Sequence, residues 1–427
     1  MPDLRLPYGK TYLTAHLPDD RSADWIAPAE IAPAPDALAV VAQALDQPLG
    51  ARALGSFAGV RSVAIAINDK TRPVPHEHLL PPLLDRLAQI GLRPEQITFV
   101  IATGTHPVMP TAEYADILPP SIIERYRILC HDSEDKAALV YLGETARGTP
   151  VWVNRHYLAA DLRIVVGNVE PHQFAGFSGG VKTAAIGLAG KETINRNHAL
   201  MSEPGAQLGA YAGNPPRDDI EEIGRMMRID FALNALLNGQ KRIVAALAGD
   251  PVAVVQAAIP LVRRGFQVTV DQAYDLLIVS PGGHPKDINL YQAQKALAHA
   301  ALIARDGAAV IVCAACPEGT GSDTYEAWIG REDMTSHTAV IERFKAEGFR
   351  IGAHKAFQIA RDAVRLRVTL ISDMPPAFVR SLLLDPADDL QTALDAALAS
   401  LPPDARIGIM PAANATIPGV RTRGENP

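Results

Sequence analysis

Three apolar segments of the sequence each end in a loop that places an imidazole or a charged side chain near a proline. Val63–Ile67 runs into Asn68–Pro73, Ile97–Ala102 into Thr103–Pro107, and Leu162–Val166 into Gly167–His172. The imidazoles of His106 and His172 could move protons near neutral pH. Asp69 could orient an imidazole or Arg72. Because ligands bind at the carboxyl ends of the strands in open α/β sheets, three such loops predict a ligand site at this edge.

A glycine-rich segment that ends in a lysine follows the third loop. Ser178, Gly179 and Gly180 let the backbone approach a ligand, and successive N–H groups at a helix start favour an anion. The segment departs from the P-loop pattern, because Val181 stands where a glycine should precede the lysine. Lys182 is therefore predicted to contact a cofactor, through an ionic or a covalent bond, and a plain NTPase is disfavoured.

A second lysine lies on a predicted helix in the C-terminal half of the chain. Tyr291 and Lys295 are four residues apart and share a helix face, which Gln292 borders. Lys295 could bind a substrate carboxylate. The spacing alone fits a solvated helix face equally well.

The histidines His106, His172 and His198 leave two interpretations open. Three imidazoles could hold Zn²⁺ as a hydrolytic centre, although no two of them have the short helical spacing of the common zinc motifs. They fit equally well as two bases and one ligand to a softer metal.

The elements that must position these residues alternate between apolar strands and Ala/Leu-rich helices. Most of the strand candidates are continuously apolar, which is typical of parallel strands covered on both faces. The strand candidates are Val63–Ile67, Ile97–Ala102, Leu162–Val166, Ile243–Leu247, Leu276–Val279, Ala308–Cys313, Val368–Ile371 and Arg406–Met410. The sequence predicts two layered α/β domains with mainly parallel sheets and an active-site cleft between the domains.

The domain boundary is predicted where the helix after Asp250 ends in Arg263–Gly265. We expect an N-terminal α/β domain over residues 1–265 that carries the cofactor site and is joined by the C-terminal segment 403–427. Residues 266–275 are expected to be a linker, and residues 276–402 a C-terminal α/β domain.

Composition narrows the class of protein. The chain has 427 residues, of which 48% are hydrophobic and 20% charged, with a net charge of −7 and 3 cysteines. The hydrophobic fraction excludes general disorder, and three cysteines are too few for a disulfide framework. No basic stripe indicates a nucleic-acid partner, no apolar run is long enough to span a membrane, and Met1–Lys10 has no signal-peptide pattern. A cytoplasmic protein that acts on a small molecule is expected.

The segments singled out above, with one more around His198, resemble the nickel-pincer lactate racemase family in order and spacing. They are Asp69–Pro73, Thr103–His106, Glu170–His172, Ser178–Thr183, Asn195–His198 and Tyr291–Lys295. The resemblance runs across essentially the whole chain, and six separate motifs make it specific.

This resemblance implies a cofactor. In the family, a pyridinium-3-thioamide-5-thiocarboxylic acid mononucleotide is joined to a lysine, here Lys182, and holds nickel through two sulfurs and one ring carbon. His198 is implied as the protein ligand to nickel. Asp69 and the loop residues Ser178, Gly179 and Gly180 are expected beside the cofactor, and the enzymes that build the cofactor are implied as partners.

The resemblance also implies a reaction, the inversion of C2 of a 2-hydroxy acid by reversible hydride transfer, with His106 and His172 as acid and base. Arg72, Tyr291, Gln292 and Lys295 are expected to bind the substrate.

Lactate-specific members of the family have a tryptophan in the stretch that corresponds to Gly352–Ala356, where this chain has His354 and Lys355. The substrate is therefore expected to be lactate-like or a more polar acid such as malate or gluconate, with His354 in contact. The alternatives are a zinc-dependent hydrolase that uses the three histidines and a non-catalytic phosphate- or acid-binding protein.

Overall fold

The computed structural model describes residues 4–50, 53–350 and 352–421. The strands are β1 (Leu4–Tyr8), β2 (Thr11–Ala15), β3 (Ala23–Trp25), β4 (Val63–Asn68), β5 (Ile97–Ala102), β6 (Arg127–Cys130), β7 (Leu139–Glu144), β8 (Pro150–Asn154), β9 (Leu162–Asn168), β10 (Pro171–His172), β11 (Gly176–Phe177), β12 (Phe231–Leu237), β13 (Ile243–Gly249), β14 (Gln267–Val270), β15 (Tyr274–Val279), β16 (Ala304–Cys313), β17 (Arg367–Ile371), β18 (Asp385–Ala387), β19 (Ile407–Met410) and β20 (Ile417–Val420).

The helices connect these strands in the alternating order that the sequence predicts. They are α1 (Ala37–Asp46), α2 (His76–Gln89), α3 (Pro120–Arg125), α4 (Arg155–Leu158), α5 (Lys182–Ala185), α6 (Lys191–Ala199), α7 (Pro215–Met227), α8 (Pro251–Phe266), α9 (Leu290–Ala301), α10 (Asp323–Ile329), α11 (His337–Glu347), α12 (Ala353–Ala363), α13 (Pro376–Ser381) and α14 (Leu390–Ala399). The predicted α/β class with mainly parallel sheets is confirmed.

The chain divides into two compact units, which we call the central unit and the terminal unit. The central unit is residues 30–265, and the terminal unit combines residues 1–29 with residues 266–427. The division after Gly265 coincides with the boundary that the sequence predicts, but the two ends of the chain belong together in the other unit.

Strand pairing shows why the expected domain assignment is wrong for both end segments of the chain and for the linker. β19 pairs in parallel with β15, and β3 pairs with β19, so segments from both ends of the chain extend the sheet of the terminal unit. β14 lies where a linker is expected, and it pairs with β20. These short strands gain their backbone hydrogen bonds only from partners distant in sequence, which a local pattern does not reveal.

The central unit is built on a six-stranded sheet with the order β13-β12-β9-β4-β5-β6. Neighbouring strands are parallel except at the edge, where β13 runs antiparallel to β12. β4 lies between β5 and β9, so the loops that follow these three strands leave the sheet side by side at its carboxyl edge. In an open α/β sheet this edge is where ligands bind.

The terminal unit has a second six-stranded sheet, with the order β18-β17-β16-β15-β19-β3, in which all neighbours are parallel. The Asn289 side chain caps α9 by accepting from the backbone N–H of Gln292 at 3.1 Å, which fixes where this helix begins. α9 packs against α12. Among the described residues, no helix has the length and apolar character needed to cross a bilayer.

Candidate active site

Asp69 and His106 meet at the carboxyl ends of the adjacent strands β4 and β5. The Asp69 Oδ2 and His106 Nδ1 atoms are 2.6 Å apart, and the Thr71 hydroxyl donates to Asp69 Oδ1 at 2.7 Å. Because the carboxylate accepts from Nδ1, the neutral ring carries its lone pair on Nε2. Nε2 of this ring can therefore accept a proton, and the His106 side chain is 36% exposed whereas that of Asp69 is 2% exposed.

The charge of Asp69 is stabilised although the residue is buried. Burial alone would raise the pKa of Asp69, but the hydrogen bonds from His106 and Thr71, with the charge of Arg72 nearby, hold it below its ordinary value. The Arg72 backbone N–H also donates to the Asp69 carbonyl at 3.1 Å. An ionised carboxylate at this position can fix the orientation and the tautomer of the His106 ring.

His172 lies on a short hairpin formed by β10 and β11 after the third strand end. The Ala175 backbone N–H donates to His172 Nδ1 at 3.3 Å, so this ring is held differently from that of His106. The Phe174 ring packs edge-on against His172, with centroids 4.8 Å apart, and against His198, with centroids 5.0 Å apart. The hairpin thus brings the second predicted base and the predicted metal ligand to one aromatic side chain.

The glycine-rich loop is confined by its neighbours. Gly179 and Gly180 have φ values of +79° and +57°, and a Cβ on Gly180 would lie 2.6 Å from Val255 Cγ2. The Gly180 backbone N–H donates to Asn234 Oδ1 at 2.7 Å. Ser178 Oγ accepts from the Glu170 N–H at 2.9 Å. A residue with a Cβ at either glycine position would therefore strain the backbone of this loop.

Arg217, which the sequence analysis does not single out, holds the backbone at this loop through hydrogen bonds. It is completely buried, and its Nη1 donates to the Phe177 carbonyl at 3.1 Å. Its Nη2 pairs with Glu221 Oε1 at 2.5 Å. The spacing of four residues on α7 could have indicated the Arg217–Glu221 pair, but nothing in the local sequence connects it with the loop.

Lys182 begins α5 directly after the loop and is 8% exposed. Burial lowers the pKa of Lys182, and the nearby guanidinium groups of Arg72 and Arg217 lower it further, against an opposing effect of Glu170, to about 7. A large fraction of this amine is therefore neutral near pH 7. A neutral amine is the nucleophilic form that forms an amide-type bond.

The apoprotein is accordingly expected to be acylated at Lys182 with a pH profile that has its midpoint near 7. The measurement is the initial rate of labelling by acetic anhydride between about pH 5 and pH 10, a range that includes amine pKa values of roughly 7–10. The labelling is followed residue by residue by mass spectrometry. Lys70 is the internal control, because its hydrogen bond with Glu113 raises its pKa. A Lys182 profile parallel to that of Lys70 would contradict the lowered pKa.

The terminal unit gathers the other predicted substrate residues on α9 and α12. The Tyr291 hydroxyl and His354 Nε2 are 3.3 Å apart, and their rings meet edge-to-face with centroids 5.8 Å apart. Lys295 Nζ donates to Gln292 Oε1 at 2.7 Å. Tyr291 and His354 therefore form one contacting pair between α9 and α12, and Gln292 and Lys295 form a second pair within α9.

Lys355 also lies beside Tyr291, although it was not among the predicted site residues. Its Nζ lies 4.5 Å from the Tyr291 ring centroid and donates to Gln358 Oε1 at 3.0 Å. Lys355 is 6% exposed, and burial together with the charge of Lys295 lowers its pKa well below the ordinary value. Two lysines that destabilise each other's charge favour an anion between or beside them.

Among residues 4–50, 53–350 and 352–421, no three His, Cys, Asp or Glu side chains are grouped so that they could hold a metal ion. The zinc-hydrolase alternative requires such a group from His106, His172 and His198.

Comparison with known proteins agrees with this architecture. The model of the lactate racemase N-terminal domain matches residues 8–209, and that of the lactate racemase C-terminal domain matches residues 269–417. The lactate racemase of Thermoanaerobacterium thermosaccharolyticum is 28% identical over 96% of this chain and 98% of its own length. The lactate racemase of Lactiplantibacillus plantarum is 31% identical over 75% of this chain and 76% of its own length.

Solved structures show the same relation. The lactate racemase apoprotein from T. thermosaccharolyticum superposes with a TM-score of 0.91 at 27% identity, covering 99% of this chain and 100% of that chain. A protein from Thermotoga maritima, at 18% identity and a TM-score of 0.67, covers 90% of this chain and 98% of its own and shares the fold.

The fold and these relatives define an enzyme of the isomerase class, a racemase. More particularly, the chain belongs to the lactate racemase family.

Proposed function

We propose that this racemase inverts C2 of a 2-hydroxy acid, with His106 and His172 as acid and base and with a nickel-pincer nucleotide attached covalently to Lys182. The observation that carries the proposal is that the central unit holds both a histidine oriented by a carboxylate and a buried lysine with a lowered pKa. His106 is held by Asp69 at 2.6 Å, and the pKa of Lys182 is lowered to about 7 by burial and by Arg72 of the same loop.

The residues of the central unit fit this cofactor. Lys182 supplies the amine for the thioamide bond, and the confined loop of Ser178, Gly179 and Gly180 fixes the backbone from which the Lys182 side chain begins. His198 supplies one imidazole, and the remaining donors to nickel would come from the sulfur and carbon atoms of the cofactor. Nickel accepts such soft and imidazole ligands in a tetragonal arrangement. When bound, the cofactor supplies a hydride acceptor for the hydrogen on C2.

The protein's own groups handle the proton of the substrate hydroxyl. His106 accepts this proton at Nε2 for one enantiomer, and the Asp69 carboxylate stabilises the resulting imidazolium. His172 acts for the opposite enantiomer, and to accept a proton at Nε2 its neutral ring must exchange the Nδ1 hydrogen bond from the Ala175 N–H for a proton on Nδ1. Inversion needs a proton acceptor for each configuration, which explains why two imidazoles follow two strands of the same sheet.

Each unit, taken by itself, offers a cationic side chain that suits a substrate carboxylate. Arg72 follows Asp69 in the loop after β4, and Lys295 is oriented by Gln292. Tyr291 and His354 donate or accept hydrogen bonds beside Lys295. Burial and the charge of Lys295 disfavour the ammonium form of Lys355, and a second anionic group on the substrate would stabilise that form, which favours an acid such as malate or gluconate over lactate.

The reaction is tested by the fate of the C2 hydrogen. With a substrate that carries deuterium at C2, the loaded enzyme is expected to retain the label in the inverted product, as measured by mass spectrometry and chiral chromatography. Wash-out of the label into water would contradict hydride transfer and indicate proton abstraction at carbon. Complete failure to invert any 2-hydroxy acid would contradict the proposed reaction.

Replacement of Lys355 by methionine is expected to change the substrate preference. Loss of a buried charged hydrogen-bond donor should lower kcat/KM for malate by about 10- to 100-fold, corresponding to roughly 1.5–3 kcal/mol, and change lactate little. The measurement is kcat/KM for malate, gluconate and lactate. Lys345→Met, which removes an exposed lysine on α11, is the matched control. An equal loss for all three acids would contradict a specificity role.

A further inference from the structure

We propose that Asn197 is a positioning residue that holds His198 in the tautomer whose lone pair lies on Nε2, the nitrogen that would bind nickel. This inference rests on the proposed function, because it concerns the protein ligand to the metal. It is carried by a chain of buried hydrogen bonds that runs from a hairpin turn through α7 to α6.

The orientation of the Asn197 amide is determined by its surroundings. Asn197 is completely buried, and its Nδ2 lies 2.9 Å from Asp219 Oδ2 and 3.0 Å from the carbonyl oxygen of Pro216. A backbone carbonyl can only accept, so the NH₂ group must face α7. The flipped amide would place its oxygen against two acceptors, which is costly in a buried site.

The fixed amide in turn determines the protonation of the neighbouring ring. Asn197 Oδ1 lies 3.3 Å from His198 Nδ1. An amide oxygen has no proton to donate, so the hydrogen bond requires a proton on Nδ1. In the neutral imidazole the lone pair then lies on Nε2. This is the arrangement of metal-binding histidines, whose second nitrogen donates to an outer group that sets the tautomer.

Asp219 is held as an acceptor by two threonine hydroxyls. Thr145 Oγ1 donates to Asp219 Oδ1 at 2.6 Å, and Thr149 Oγ1 donates to Asp219 Oδ2 at 3.0 Å. The Thr149 backbone N–H donates to Thr145 Oγ1 at 3.1 Å, which leaves the Thr145 proton for the carboxylate. Asp219 is completely buried, so its oxygens depend on these donors and on Asn197.

The tautomer can be measured directly in the apoprotein by ¹⁵N NMR with labelled histidine, with the His198 signals assigned from their loss in His198→Gln. We expect a protonated Nδ1 and an unprotonated Nε2 in the wild-type protein. Asn197→Leu should introduce the Nε2–H tautomer. A wild-type spectrum that shows Nε2–H for His198 would overturn the proposal without reference to any variant or to activity.

Nickel retention gives a second readout. After loading with the complete cofactor and challenge with a chelator, Asn197→Leu is expected to hold nickel about 10- to 100-fold more weakly than the wild type. The matched control is Thr193→Val on the same helix, which removes a buried hydroxyl that donates to the Pro150 carbonyl at 2.6 Å. Equal nickel loss in both variants would show general damage to α6 and overturn the proposal.

The two hypotheses fail in different ways. If the wild-type protein acquires neither an adduct on Lys182 nor nickel, the proposed function is wrong, and the tautomer result still decides the role of Asn197. If the wild type is loaded and Asn197→Leu keeps wild-type nickel affinity, the proposed function stands and the positioning role is wrong.

Discussion

Replacement of Lys182 by methionine is expected to abolish racemisation and to leave the protein without a covalent adduct. Methionine has a similar length and no amine, so the bond to the cofactor cannot form. Because the proposed cofactor would supply the hydride acceptor, we expect a loss of at least about 10⁶-fold, the lower end of the rate enhancements typical of enzymes. Intact mass and nickel content after co-expression with the cofactor-building enzymes would be measured with the rate.

The same substitution should stabilise the apoprotein at neutral pH. The pKa of Lys182 is lowered from 10.5 to about 7, first by burial and then by Arg72 and Arg217. Between these values the unfolded chain binds more protons than the folded one, so this group contributes destabilisation that grows as the pH falls from 10.5 towards 7. Methionine removes that term, and Tm should rise. A raised Tm with lost activity separates a chemical role from loss of the fold.

Lys191→Met is the matched control for Lys182→Met. Lys191 is an exposed lysine that pairs with Glu134 at 2.7 Å, and such surface pairs contribute little. It should keep the wild-type activity and adduct. Wild-type activity in Lys182→Met, or an adduct of the same mass on another residue, would show that Lys182 is not the attachment site.

The site-bearing strands could be predicted because their signal is local. The segments that became β4, β5 and β9 are continuous apolar runs that end in polar loops, and in the structure they are fully paired neighbours. Their adjacency is what brings Asp69 to His106. The family resemblance assigned roles to these loops that residue types alone left open.

Other features depend on contacts that no local pattern encodes. β12, with the sequence FALNALL, has an Ala/Leu composition that suits a helix, and it forms a strand because it is buried on both faces between β9 and β13. Arg217 lies on a charged helix that is typical of a solvated surface, yet it is completely buried by its bonds to the glycine-rich loop and Glu221. Tertiary contacts override propensity at both positions.

The position of Lys355 shows the same limit of local patterns. Lys355 is 64 positions away from Tyr291 in the sequence, and only the packing of α12 on α9 brings its Nζ to within 4.5 Å of the Tyr291 ring centroid. The chain ends join one unit because β3 and β19 pair, which is a contact between the two extremes of the sequence. The local sequence around each of these residues does not contain the long-range contacts that determine its position in the fold.

His106→Gln and His172→Gln are each expected to lower kcat/KM by about 10²- to 10⁴-fold, the usual contribution of a general acid or base. The loss must be the same in both directions for each variant, since the ratio of the two kcat/KM values is fixed by the equilibrium constant of the reaction. Steady-state rates therefore cannot assign a histidine to an enantiomer. His156→Gln, which changes a histidine outside the site, should keep the wild-type rate.

A single-turnover experiment resolves the two histidines. Loaded enzyme in excess is mixed with one enantiomer and quenched in acid, and the 2-oxo acid that is released is quantified. A variant that lacks the base for that enantiomer should form the 2-oxo acid slowly, whereas the other variant should form it at nearly the wild-type rate, and the pattern should reverse with the opposite enantiomer. Asp69 holds His106 Nδ1 at 2.6 Å, so Asp69→Asn should reproduce the His106→Gln pattern in weaker form. If each variant forms the 2-oxo acid equally slowly from both enantiomers, the two histidines act together on one face of the substrate. That result would contradict the proposal that each histidine serves one enantiomer.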